Sequence, residues 1–284
     1  MERSFVLKTS CIRQRAFGPL SVVLCCLMQP STSHASGLDG LTWRIEQSVG
    51  VVDSQWREKT NTGVVHVKES GSLGAVVTAF SMSHPWFHAS VRYEQLLGDR
   101  LYEGVTNQGV RATSTTNVKN GMLGLTLLAP VNSNWALGVA TDRISMHRDI
   151  RSTPTAVGYP EHYKYTFGKV GVQHRLALMP DLQLETSVWL GKSFDDSLLL
   201  RLPGYDAAHM SLGHGRTTEV GWRLVKSFAD SKWQASLKFG YRKERFKAGE
   251  ATTLFKAGRI AGSAQQPAWQ HGAAHLVAEL SYGF

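Results

Sequence analysis

The 284-residue sequence predicts an all-β fold, a transmembrane antiparallel up-and-down β-barrel of about ten strands. Three observations carry that expectation. Segments in which apolar and polar residues alternate recur along the chain, a short turn followed by a large apolar residue returns about every 50 positions, and the polar rows of the alternating segments are rich in charge. Alternation marks a strand because successive side chains point to opposite faces.

The first element is not part of the barrel. Arg3, Lys8, Arg13 and Arg15 make a basic start, Phe17 to Met28 is mostly apolar, and Pro30 is followed by the small residues Ser33 and Ala35. That order is the one of an export signal, so residues 1–35 are expected to be removed and 36–284 to form the barrel. A spanning helix needs roughly 20 apolar residues; this run is shorter and is interrupted by Gly18 and Pro19. Neither Cys25 nor Cys26 follows the small residue that a lipoprotein site requires. With Cys11 they are the only cysteines, so the remainder has no disulfide and no thiolate ligand or nucleophile. The formal charge of the whole chain is +9, and the rest stays basic once the segment's four cations and one anion are gone. A basic exported chain suits anionic neighbours such as lipid phosphates or acidic polysaccharide.

The turns then divide what remains. His84 and Pro85 precede Trp86, Asn132 to Asn134 precede Trp135, Met179 to Asp181 precede Leu182, and Asp230 to Lys232 precede Trp233. Between a start near residue 37 and the end at 284 these make five hairpin units, hence ten strands. Phe87, Ala89, Val91 and Tyr93 alternate with His88, Ser90, Arg92 and Glu94; Leu123, Leu125 and Leu127 alternate with Met122, Gly124 and Thr126. Near Gly168 the parity changes, which reads as a bulge. Trp233, Leu237, Phe239 and Tyr241 oppose Gln234, Lys238 and Arg242, and the chain closes with Leu276, Ala278, Leu280, Tyr282 and Phe284 opposite His275, Val277, Glu279 and Ser281.

Charge decides which face looks inward. Burying Arg92, Glu94, Glu185, Glu219, Arg223 and Glu279 in a sandwich core would cost several kcal/mol per unpaired ion, whereas a barrel interior offers water and counter-charges. Trp86, Trp135 and Trp233, each just after a short turn, suit an aromatic girdle at a membrane interface. The apolar rows are therefore expected to face lipid.

From about Leu41 to Phe284 the chain resembles bacterial outer-membrane β-barrels, most specifically in its last segment. The resemblance implies residence in a Gram-negative outer membrane, lipid and lipopolysaccharide as neighbours, and a C-terminal signal (Leu280, Tyr282, Phe284) for the barrel assembly machinery. It also implies periplasmic termini and surface loops at roughly 52–61, 98–110, 150–161, 195–213 and 247–267.

Ten strands enclose a narrow interior, and barrels near that size are filled by side chains. A plugged lumen with a structural or surface-interaction role is expected, with a surface enzyme or a narrow solute channel as alternatives. No cofactor or nucleic-acid partner is expected. His271, His275 and Glu279 do not make a metal site, because residues four apart on one strand are about 13 Å apart. His88 and Ser90 are similar to the pair of barrel-type lipid A deacylases but fall beside a periplasmic turn. Omptin-type proteases also have ten strands, with paired acidic residues, an aspartate and a histidine at the extracellular rim. Asp195 and Asp196 with His209 or His214 are the candidates for those roles, without that family's surrounding motifs. Gly71 to Gly74 reads as relief of crowding within a strand rather than a phosphate cradle. A basic rim for lipid or polyanion is expected from Arg143, Arg148, Arg151, Lys243, Arg245 and Lys247, with Lys256 and Arg259 in the last loop.

Overall fold

A computed structural model describes residues 40–284 apart from 61, 106–108, 155 and 230. The expected export signal, residues 1–35, lies outside the described residues. The strands are β1 (Thr42–Lys59), β2 (Val65–His84), β3 (Phe87–Val105), β4 (Arg111–Pro130), β5 (Trp135–Ile150), β6 (Pro160–Met179), β7 (Leu182–Leu200), β8 (Ala208–Ser211), β9 (Gly215–Ser227), β10 (Trp233–Phe246), β11 (Ala251–Lys256), β12 (Arg259–Gln265) and β13 (Ala268–Gly283). Ten of them close a barrel in the order β1-β2-β3-β4-β5-β6-β7-β9-β10-β13 and back to β1. The short β8 pairs with the outer end of β7, and β11 and β12 form a hairpin apart from the wall. Closure is completed by the chain ends, where the Phe284 N–H donates to the Trp43 carbonyl at 3.0 Å.

The strands are long. At about 3.3 Å per residue the 20-residue β4 extends about 65 Å, and at a tilt of about 40° it rises about 50 Å. An outer-membrane barrel has an apolar band only about 25 Å tall. The wall therefore continues well beyond any bilayer, away from the four short turns.

This overhang inverts the amphipathic pattern. In the half that holds the chain ends, Val49, Val51, Leu123, Leu125, Leu237 and Leu280 point outward and are exposed. Further along the same strands the apolar residues point inward: Val52 and Trp56 on β1, Ile144 and Met146 on β5, Trp269 and Ala273 on β13 are all buried. Lipid outside rewards an apolar exterior; water outside rewards an apolar core. The parity change on β6 has this cause. Val170 is outward and exposed, while Tyr163, Tyr165 and Phe167 are inward and buried, and Gly168 itself pairs regularly with Thr141 and Lys192. The register shifts on that side lie elsewhere: opposite Tyr165, where β7 inserts a residue at the positive-φ Asp195, and between Ala177 and Met179 beside the turn.

The expected loop boundaries give way for the same reason. Residues 52–59 and 98–105 belong to β1 and β3, because polar side chains there face water on the outside while the inner row stays buried. The ladder between β2 and β3 is interrupted between the pairs Ser70–Leu101 and Gly74–Leu97. At Gly71 an added Cβ would meet the backbone of Asp99 and Arg100, so this glycine permits the close approach that its sequence context suggested.

Candidate functional site

The lumen is built in layers. Nearest the chain ends, Arg223 on β9 meets Glu46 (3.5 Å), Glu185 (3.2 Å) and Glu279, and Lys238 on β10 also reaches Glu279. Ser48 and Ser236 hydroxyls donate to the same Glu279 carboxylate at 3.1 and 2.7 Å. Below this ring a polar vestibule of about 460 Å³ is lined by Arg44, Ser83, His88, Arg175, Gln183 and Lys238. In the next layer Lys169 contacts Asp142 at 2.5 Å and Glu219 at 3.2 Å, and Arg242 contacts Glu219 at 3.0 Å. Arg223, Lys238, Lys169 and Arg242 thus each find a counter-charge on a neighbouring strand or across the narrow lumen, which offsets their desolvation.

Above the ionic layers the interior is dry. Trp269 stacks between Trp56 and Phe246, with ring centroids 4.2 Å away on either side. Tyr163 and Tyr165 pack edge-on or tilted against Trp269, and Leu73, Met122 and Leu198 fill the remainder. Two guanidiniums are embedded here. Arg100 pairs with Glu69 at 3.0 Å; Arg148 reaches Glu69 at 2.6 Å, Glu58 at 3.1 Å and Glu161, and lies 4.4 Å over the Trp56 ring. The Trp56 indole N–H donates to Glu58 at 2.8 Å and the Thr116 hydroxyl to Glu69 at 2.8 Å. Just outside β6, burial and the neighbouring Glu161 push the Tyr159 hydroxyl well above the ordinary tyrosine range.

One buried constellation has the order of a nucleophilic relay. Ser54 Oγ is 3.0 Å from His271 Nε2, and His271 Nδ1 is 3.4 Å from Glu244, which also accepts the Tyr165 hydroxyl at 2.9 Å. Ser54 is 0% exposed and sits inside the packed stack, so no substrate reaches it and the three residues act as a satisfied hydrogen-bond chain. The sequence paired His271 with His275 and Glu279 instead; only cross-strand register, pairing Glu244 with His271, brings the actual partners together.

The expected catalytic residues lie at the outer end of β7 and on the segments that follow it, and Asp196 is close enough to Asp195 and His214 for their charges to act on its carboxyl. Asp195 is exposed outside the wall and paired with Arg143. Asp196 is half-buried and accepts the Ser193 hydroxyl at 2.6 Å. His209 is exposed on β8 and His214 precedes β9. Among the described residues no hydrogen bond or ion pair links these aspartates to His209. His88 bonds to Ser83 at 2.7 Å rather than to Ser90.

The rim residues divide. Arg148 is a correction: it is fully buried among carboxylates and offers nothing to a surface ligand. Arg143 is outward at the upper edge of the apolar band and donates to Thr166 at 2.7 Å. Lys243, Arg245 and Lys247 follow one another on the outward row of β10 and its exit. Lys256 and Arg259 oppose each other across the tip of the β11–β12 hairpin, whose turn residues Ala257 and Gly258 both have positive φ. The Gly258 N–H donates to Asp206 at 2.9 Å, which ties this tip to the preceding loop. Trp86 is 81% exposed in its turn, Trp135 is exposed, and Trp233 packs against Tyr282 at 4.9 Å. At the same end, the hydrogen bond from Lys226 holds the Asp181 carboxyl below its usual range.

No family model and no curated protein sequence matches the chain. Among solved structures the chain is similar to the outer membrane protease OmpT from Escherichia coli, with a TM-score of 0.56 and 12% identity over 87% of this chain and 97% of that one. It is also similar to the translocator domain of the autotransporter NalP from Neisseria meningitidis (TM-score 0.43, 12% identity, 87% of this chain and 90% of that one). A third similarity is to the β domain of the Bordetella autotransporter BrkA (TM-score 0.40, 12% identity, 86% and 99%). The chain has the outer-membrane β-barrel fold. Its outward apolar band agrees with that fold and places it in the bacterial outer membrane.

Proposed function

We propose that the protein is a non-conducting outer-membrane barrel that works from its surface, presenting basic extracellular loops to an anionic envelope component or external polysaccharide. The observation that carries this reading is the packed stack of Trp56, Trp269, Phe246 and Arg148, all buried in the outer half of the lumen, which supports a filled rather than an open interior. Accessible on that side are the cations Lys247 beyond β10 and Lys256 with Arg259 at the hairpin tip, interspersed with exposed acids such as Asp206 and Glu250. Paired, exposed cations on a tethered hairpin suit the spaced sulfates or carboxylates of a polysaccharide.

The test is retention of the folded barrel, in neutral detergent, on an immobilised sulfated polysaccharide. Retention should fall as salt rises, and Lys256→Gln/Arg259→Gln should weaken it about tenfold. Binding unaffected by salt and by those substitutions would remove the loops from the account.

A further inference from the structure

On the outer wall of β7, β9 and β10 three cations are direct lateral neighbours. Lys192 pairs with Arg216 across β7–β9, and Arg216 pairs with Arg245 across β9–β10. All three are exposed, and Lys243 lies two residues from Arg245 on the same outward row. Directly opposed side chains stand about 5 Å apart at Cβ and positions two apart on a strand about 7 Å. Four positive charges therefore fall within the reach of one or two phosphate groups.

Such an arrangement is unfavourable by itself, since like charges opposite each other destabilise a sheet. The carboxylates on these strands do not relieve it. Glu219 faces inward to Lys169 and Arg242, Glu244 faces inward to His271, and Asp195 is taken by Arg143. Among the described residues, none of Lys192, Arg216, Lys243 and Arg245 forms a salt bridge. The repulsion is left for an anion outside the chain to relieve.

Hydrocarbon follows beneath. The next outward row is Leu190, Thr218 and Lys243, then Val188, Val220 and Tyr241, then Trp222 stacked on Phe239 at 5.7 Å. The Tyr241 ring lies across Gly272, where an added Cβ would come within 2.9 Å of its hydroxyl. Because Gly272 pairs with Lys243, the phenol reaches the height of the lowest cation. Cations and a phenol above an apolar strip match the order of a phosphorylated lipid, headgroup over acyl chains.

We infer that this wall is a binding site for the phosphorylated headgroup of an outer-leaflet glycolipid: Lys192, Arg216, Lys243 and Arg245 hold phosphate, and Leu190, Val220 and Tyr241 underlie its acyl chains. The inference deepens the reading of this surface as anion-binding and rests on it, but assigns the wall and the hairpin tip to different ligands.

The experiment titrates the purified full barrel in neutral detergent with bisphosphorylated lipid A or its dephosphorylated form and counts retained lipid by native mass spectrometry. The phosphorylated form should be retained preferentially, and Arg216→Gln/Arg245→Gln should lower its retention about tenfold. Lys256→Gln/Arg259→Gln should leave it unchanged. In lipid-free detergent Arg216→Gln should unfold at a higher temperature than the parent, because the repulsion is relieved, yet gain less than the parent when lipid A is added. Equal retention of the two lipid forms, undiminished retention by the wall variant, or a lower unfolding temperature without lipid would each overturn the site. Polysaccharide retention is read on the hairpin variant and lipid retention on the wall variant, so each reading can fail alone.

Discussion

A guanidinium withdrawn from water needs negative charge on more than one side, and Arg148 finds it in Glu58, Glu69 and Glu161. Removing that one cation would leave Glu58 and Glu161 uncompensated in a dry layer and Glu69 with Arg100 alone. Arg148→Met should therefore cost about 3–5 kcal/mol in equilibrium unfolding, whereas Arg143→Met, whose partner Asp195 is solvent-exposed, should cost less than about 1 kcal/mol. Comparable losses for the two would contradict the placement of Arg148. Nothing in the sequence around His147, Arg148 and Asp149 separates a buried arginine from a surface one. The distinction comes from partners 79 and 90 residues away along the chain. The same limit applies to Ser54, His271 and Glu244, which meet only through register.

At the scale of the strand, alternation has no fixed meaning until the medium outside is known. Leu123, Leu125 and Leu127 face lipid, while Val118 and Met122 on the same β4 face the core. Leu125→Arg in the apolar band should destabilise the barrel by about 2–4 kcal/mol in phosphatidylcholine vesicles. Leu101→Arg, outward but beyond the band on β3, should change stability by less than about 0.5 kcal/mol. Equal costs at the two positions would remove the boundary drawn here. The barrel half near the turns was legible because its alternation, turns and tryptophans agree. The outer half was hidden, since outward polar residues such as Asp53, Gln55 and Arg57 look like loop until their inward neighbours Ser54 and Trp56 are seen to be buried. The terminal strand carries a further expectation. Phe284 is exposed and tilted against Phe80 at 6.4 Å, adding little to the core. Phe284→Ala should slow assembly in cells while leaving spontaneous folding into vesicles nearly unchanged; equal slowing of both would make the residue structural rather than a signal.

Taken whole, the molecule is a barrel with two interiors, an ionic one within the bilayer and an aromatic one beyond it. The ionic layers pair charge that the narrow lumen must contain, and the aromatic stack packs the interior beyond them. On the exterior proposed to carry the function, Lys192, Arg216, Arg245, Lys256 and Arg259 are exposed beyond a lipid-facing band. Single-channel recording on the purified barrel in a planar bilayer tests this most directly. A sealed lumen predicts a flat current trace with no unitary steps at any applied voltage; discrete steps that persist in the purified, folded protein would contradict it.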